Sequence, residues 1–148
     1  MPELALTCER FTHEWGHRIL VQVPLPHVDA VLDAVLGCCD LRYGDYDSVS
    51  FQTAEGIQRF RSLPGGRNRP TDHVVQVPCV EISFFVPDHG GDLLTVLRAI
   101  YDVHPYEEPV VNIVKCARTR HIRGLDEDNP NRFWNRKAES WIPEPHRG

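Results

Sequence analysis

Two strand–proline–helix units stand one after the other in this chain, and few folds accommodate such a pair. The first opens with ILVQVP, Ile19 to Pro24, an apolar β-branched run closed by proline. Val28, Val31, Leu32, Val35 and Leu36 then recur at intervals of three or four. That spacing predicts an amphipathic helix from about His27 to Leu36 that ends at Gly37. The second unit opens with VEISFFVP, Val80 to Pro87, followed by Leu93, Val96, Leu97, Ile100 and Val103 at the same spacing. Asp29 in one helix, and Asp88 and Asp92 before the other, suit the positive end of a helix dipole.

Each helix leads into a further strand. After the first, SVSFQT alternates Val49 and Phe51 with Ser50 and Gln52. Glu55-Gly56 then reads as a hairpin turn, with Ile57 to Arg61 as the return strand. After the second helix, HPYEEP turns the chain into VVNIVKC, Val110 to Cys116. HVVQVP, His73 to Pro78, is either an accessory strand or the start of the strand through Val80, because Pro78 marks an edge or an interruption. The order βαββαβ belongs to the α+β ferredoxin-like class, one antiparallel sheet with two helices on one face.

At 148 residues there is room for one such domain with short tails. The expected division is an N-terminal extension at 1–17, the domain at 18–123 and a C-terminal extension at 124–148. In the first extension, Phe11 and Trp15 are spaced for one helical turn. The last is polar and proline-punctuated but carries Phe133, Trp134 and Trp141. Disordered tails seldom hold such residues, so docking on the same or a neighbouring subunit is expected, and a protein partner could be recruited there.

The formal net charge of −5 disfavours nucleic acid and anionic membranes as partners. Of 16 basic residues only Lys115 and Lys137 are lysine, and arginine forks suit carboxylates and phosphates. The five cysteines, Cys8, Cys38, Cys39, Cys79 and Cys116, follow no disulfide or zinc pattern. With no signal-like leader and no long apolar run, a cytoplasmic location is expected.

GDYDSVSF (Gly44 to Phe51), GIQRFRSLPGGRNRP (Gly56 to Pro70), Glu81 and above all HPYEEPVVNIV (His104 to Val114) carry a family pattern. Over roughly Arg18 to Ala117 the chain resembles the PII/CutA-like domain. That domain is found as an insert in hexameric dinuclear-metal proteins labelled type 2 GTP cyclohydrolase-like, and as free-standing proteins. The resemblance implies a ferredoxin-like subunit that assembles as a homotrimer and binds ligands in clefts between subunits. The histidine-rich metal segments of the large proteins lie in a surrounding domain that has no counterpart here, so their chemistry is not carried over.

Three clusters are candidate sites. His104, Glu107 and Glu108 offer an imidazole and two carboxylates beside a helix end, ligand types adequate for a divalent metal ion. The same residues equally suit helix capping and subunit contacts. Tyr46 and Asp47, next to Ser48, form a second cluster, with ligand binding set against local turn bonding. Arg59, Arg61, Arg67 and Arg69 form the third, around Gly65-Gly66, with no acidic residue between Ile57 and Thr71. This is an anion cradle or a solvated face with intersubunit ion pairs. Cys38-Cys39 reads as buried small hydrophobes, and His13 and His17 could clamp a metal only if that segment were helical.

The expectation is a non-enzymatic homo-oligomeric module that binds a small anion or divalent metal and regulates a partner. A metal-dependent hydrolase or cyclohydrolase, and a purely structural or partner-binding protein, stand as alternatives. No residue is assigned a catalytic role.

Overall fold

The computed structural model describes residues 5–148. Its strands are β1 (Phe11–Val23), β2 (Phe51–Gln52), β3 (Gly56–Phe60), β4 (Val75–Pro87) and β5 (Val110–His121). Its helices are α1 (Val28–Leu36) and α2 (Leu93–Val103), giving an α+β protein. The sheet runs β2-β4-β1-β5, with β3 also paired to β4. The chain divides into two compact units, Glu14–Arg118 and Met1–His13 together with Thr119–Gly148.

In the larger unit, β1 and β4 pair antiparallel with Ile19 opposite Phe84, Val21 opposite Ile82 and Val23 opposite Val80. Directly opposed residues share a face, so these six present one apolar surface. Val28, Val31 and Val35 of α1 and Val96 and Ile100 of α2 close over it to form a single core. Each fully buried Val or Ile contributes about 1.5–3 kcal/mol through removal of apolar surface from water. A 3-10 turn at Leu25–His27, with proline in its first positions, leads into α1. Asp92 caps α2, where its carboxylate accepts from the Thr95 N–H at 3.4 Å and the Thr95 hydroxyl at 2.8 Å. The Thr95 bonds come first among the causes that hold the Asp92 carboxyl below its usual range.

β1 starts earlier than its apolar run. Phe11 to Arg18 are strand, not a tail with one helical turn. The strand passes close to β4 at Gly16, where a Cβ would collide with the Val86 carbonyl and lie 2.6 Å from the Phe85 ring. Because the segment is extended, four residues span about 13 Å, too far for His13 and His17 to clamp one ion.

The expected hairpin at Glu55-Gly56 is absent. β2 meets Ser83 and Ile82 of β4, and β3 meets Cys79 to Val75, both antiparallel. The two therefore run the same way along β4, and Thr53–Glu55 bulges out between them. A two-residue hairpin needs positive φ, whereas Gly56 pairs with Cys79 as ordinary strand. Thr53 secures the bulge: its N–H donates to the Glu81 carbonyl at 3.0 Å, and its hydroxyl accepts from the Glu81 N–H at 2.9 Å. The reversal into β4 happens later, in the loop after β3, where Gly65 takes φ +108°. The Thr71 N–H and hydroxyl close the base of that loop on the Ser62 carbonyl and N–H, each at 3.1 Å.

Only Phe51 and Gln52 of SVSFQT form strand, and Phe51 is exposed. His73–Pro78 is resolved in favour of one long strand, since β4 runs unbroken through Pro78. Its pairing with β1 stops at Val80, so Pro78 sits where one side of β4 has no ladder bond to lose.

In the smaller unit, buried Asp126 receives Arg10 and Arg132, the latter at 3.0 Å, with Asn129 donating at 3.3 Å. Burial opposes its charge, but Asn129, Arg10 and Arg132 outweigh that and hold the carboxyl below its usual range. Phe133 meets Trp134 and Trp141 edge-on, with ring centroids 5.3 and 6.3 Å away, and Ile142 is buried. No helix among the described residues is long and apolar enough to cross a membrane.

Candidate functional site

The HPYEEP segment starts where α2 stops and divides its polar groups between two tasks. His104 is buried at the helix C-cap. Its Nδ1 lies 3.1 Å from the Tyr106 N–H, which donates to it, so the proton is on Nε2. Nε2 then donates to the Gln22 carbonyl at the end of β1, 2.7 Å away. Both ring nitrogens are thereby engaged, and neither offers a lone pair to a metal ion. Burial, followed by the nearby His27, lowers the pKa of this imidazole, only partly countered by the bond to Gln22.

Tyr106 stacks at a tilt on the His104 ring, with centroids 4.8 Å apart. Its hydroxyl is buried and lacks a hydrogen-bond partner among the described residues. Burial, and then the neighbouring Cys79 thiol, raises its pKa.

Glu107 turns outward and crosses to the arginine–glycine loop. Its Oε1 accepts the Arg67 N–H at 2.8 Å. Both carboxylate oxygens lie 3.6–3.7 Å from where a Gly66 Cβ would stand. Two of the sequence clusters are therefore joined, although more than thirty residues separate them. Glu108 is exposed and outside this contact. Among the described residues there is no group of three or more His, Cys, Asp or Glu able to hold a metal ion. The donors present thus do not fit a dinuclear metal centre, and His104, Glu107 and Glu108 are not gathered into one ligand set.

Arg59, Arg61, Arg67 and Arg69 are all exposed, and among the described residues none of their guanidinium groups has a hydrogen bond or ion pair. That is unusual beside 21 acidic residues. Arg59 also lines an open cleft of ≈ 450 Å³ at the β2–β3 bulge, with Gln22, Thr53, Gly56, Cys79 and Glu81. Neither the bulge nor the cleft was legible as sequence, because the Glu55-Gly56 pair imitates a turn.

Tyr46 and Asp47 belong to a separate local turn. Tyr43 and Tyr46 exchange backbone hydrogen bonds of 2.6 and 3.1 Å. The Asp47 carboxylate accepts from the Ser48 hydroxyl at 3.0 Å, while Ser48 takes φ +57°. A site that residue spacing missed altogether is Arg118 of β5. Its guanidinium lies 4.2 Å from the Tyr43 ring centroid and 4.1 Å from that of Phe85. It also donates to Glu14 Oε1 and to the Arg42 carbonyl, both at 2.7 Å. The group is fully used in holding β1, β4, β5 and the Tyr43 turn together.

Comparison with known proteins finds no matching family model. The chain is 29% identical over 113 residues to a GTP cyclohydrolase 1 type 2 homolog of Listeria monocytogenes, covering 73% of this chain and 29% of that protein. Among solved structures, a Bacillus cereus protein related to NIF3 superposes with a TM-score of 0.60 at 24% identity. That match covers 74% of this chain and 28% of the other. The chain therefore spans less than a third of the length of these relatives, and the structural likeness concerns fold.

Proposed function

We propose that this chain is a non-catalytic, homo-oligomeric module that binds a small oxyanion at the arginine–glycine loop. The reading takes the strand order as ferredoxin-like and the subunit as PII/CutA-like, with trimeric assembly. It also takes the matched stretch as the counterpart of one domain of the longer relatives.

The observation that carries it is the Arg67 N–H already holding a carboxylate, at 2.8 Å, in a loop whose arginine heads form no ion pair among the described residues. Backbone N–H groups in a glycine-rich loop favour anions, and arginine adds a planar pair of donors matched to phosphate or carboxylate oxygens. The divalent-metal variant of this module has weaker support, since His104 spends both nitrogens inside the protein.

Two measurements test the reading. Titration with inorganic pyrophosphate, followed by calorimetry at low salt, is expected to show saturable binding that the double variant Arg67→Ala/Arg69→Ala weakens at least tenfold. Native mass spectrometry of the untagged chain is expected to give a trimer. Undiminished affinity in the double variant rejects the site, and a monomer rejects the assembly.

A further inference from the structure

We infer that Glu107 is a tethered occupant of the anion cradle, a built-in competitor that an incoming oxyanion must displace. The inference rests on the anion-binding reading above and concerns how that site is regulated.

Three observations converge on it. Glu107 is exposed, so its carboxylate gives up a full hydration shell only in part when it docks. It nonetheless reaches across to a loop far away in sequence and accepts the Arg67 N–H at 2.8 Å. Both carboxylate oxygens also pack against position 66, where a Cβ would stand 3.6 Å from Oε1 and 3.7 Å from Oε2, an ordinary van der Waals contact. The following residue, Glu108, carries the same charge on the same turn and makes no hydrogen bond or ion pair among the described residues. The contact is therefore specific to one carboxylate and is not a general attraction between an acidic turn and a basic loop.

A carboxylate and a phosphoryl group present alike to a backbone N–H, as oxygens carrying delocalised negative charge. The guanidinium groups of Arg67 and Arg69 are left over by the internal occupant, and a ligand with more oxygens could engage them as well as the amide. Displacement then exchanges one internal charge-assisted bond for several external ones, and it frees Glu107 and the HPYEEP turn to move. His104 stays in place, because its own bonds to Gln22 and Tyr106 do not involve the loop. Occupancy of the loop is thus transmitted to a turn anchored at the end of α2.

The test uses the full chain and inorganic pyrophosphate as the probe, with affinity measured by calorimetry and amide positions followed by NMR. Glu107→Gln keeps an acceptor oxygen but loses the charge, and is expected to bind pyrophosphate about three- to tenfold more tightly than the wild type. Glu107→Ala is expected to bind at least as tightly as Glu107→Gln. Glu108→Gln removes an equal charge from the neighbouring residue and is expected to change affinity by less than about twofold. The Arg67 and Gly66 amide resonances of the wild type are expected to shift on saturation. Equal affinity in wild type and Glu107→Gln, or equal gains in the Glu107 and Glu108 variants, overturns the gate while leaving anion binding intact. Weaker binding by Glu107→Ala overturns it too, since the carboxylate would then be supporting the cradle. No binding by any variant removes the anion-binding reading itself, and the gate with it.

Discussion

The helix-covered face of the sheet and the loop pair held by Glu107 are built on opposite principles. The core joins residues from β1, β4, α1 and α2, and every member is held by several apolar neighbours. Among the described residues the loop pair is joined by one hydrogen bond, between an exposed carboxylate and an exposed backbone amide. The first arrangement gains stability from redundancy and gives up any freedom to rearrange. The second, a single exposed bond, is expected to contribute little to stability. The proposed module, one that keeps its shape while responding to a ligand, would draw on both.

The largest expected effect lies in the core. Ile100→Ala should destabilise the protein by about 3 kcal/mol, since the side chain is fully buried at the meeting of α2 and the sheet and its removal leaves a cavity. Urea unfolding checks this through a lower midpoint at unchanged slope. A loss below about 1 kcal/mol would mean that the core collapses around the gap, and the contrast with the loop would weaken.

Next comes His104, which shares features of both regions. His104→Leu keeps the apolar contacts but strands the Gln22 carbonyl and the Tyr106 N–H, at an expected cost of about 2 kcal/mol. The pH dependence carries a definite sign. Burial places the folded pKa of His104 below its unfolded value of 6.5, so the unfolded state takes up a proton first as pH falls. Stability from this group is complete above about pH 6.5 and declines as pH drops through that value toward the lower folded pKa. Unfolding midpoints between pH 7.5 and 5.5 should therefore fall in the wild type and stay flatter in His104→Leu. Parallel curves would show that another group titrates.

What the residues revealed in advance follows the same divide. Val28, Val31 and Val35, and Val96 and Ile100, announced their helices because a buried face must repeat with the helical period, and that period is visible in a linear string. The β2–β3 bulge was hidden because Glu55-Gly56 has turn chemistry, while the pairing that decides the matter comes from Cys79 and Ile82, distant in sequence. Phe11 to Arg18 failed to announce a strand for a related reason. Its register depends on Gly16 fitting beneath the Phe85 ring, a tertiary contact that leaves no periodic trace. Glu107 and Arg67 were each legible as polar residues with chemical potential, but their meeting is a property of the folded chain. Arg118 was invisible in the same way, since nothing in RTRH tells of two rings and a carboxylate waiting for it.

Arg118 gives a smaller expected effect and sharpens the contrast from the polar side. Arg118→Lys keeps a charge for Glu14 but loses the flat group between Tyr43 and Phe85, at an expected cost of about 1 kcal/mol. A thermal-melt shift that persists in high salt would show that stacking matters more than the ion pair, because salt screens only the latter.

The smallest expected effect is the most discriminating. Arg67→Ala/Arg69→Ala should alter stability by less than about 0.5 kcal/mol, because both heads are exposed and without partners among the described residues. The same double variant is expected to lose pyrophosphate affinity, so a stability close to wild type separates a binding role from a structural one. If instead the variant were clearly destabilised, the arginines would be holding the protein together through contacts made only in the assembled oligomer. The loop would then belong with the core as a structural element, and its openness to a ligand would have to be abandoned. Measuring the destabilisation at two protein concentrations decides between these origins: a subunit contact makes it concentration-dependent, whereas a contact within one chain does not.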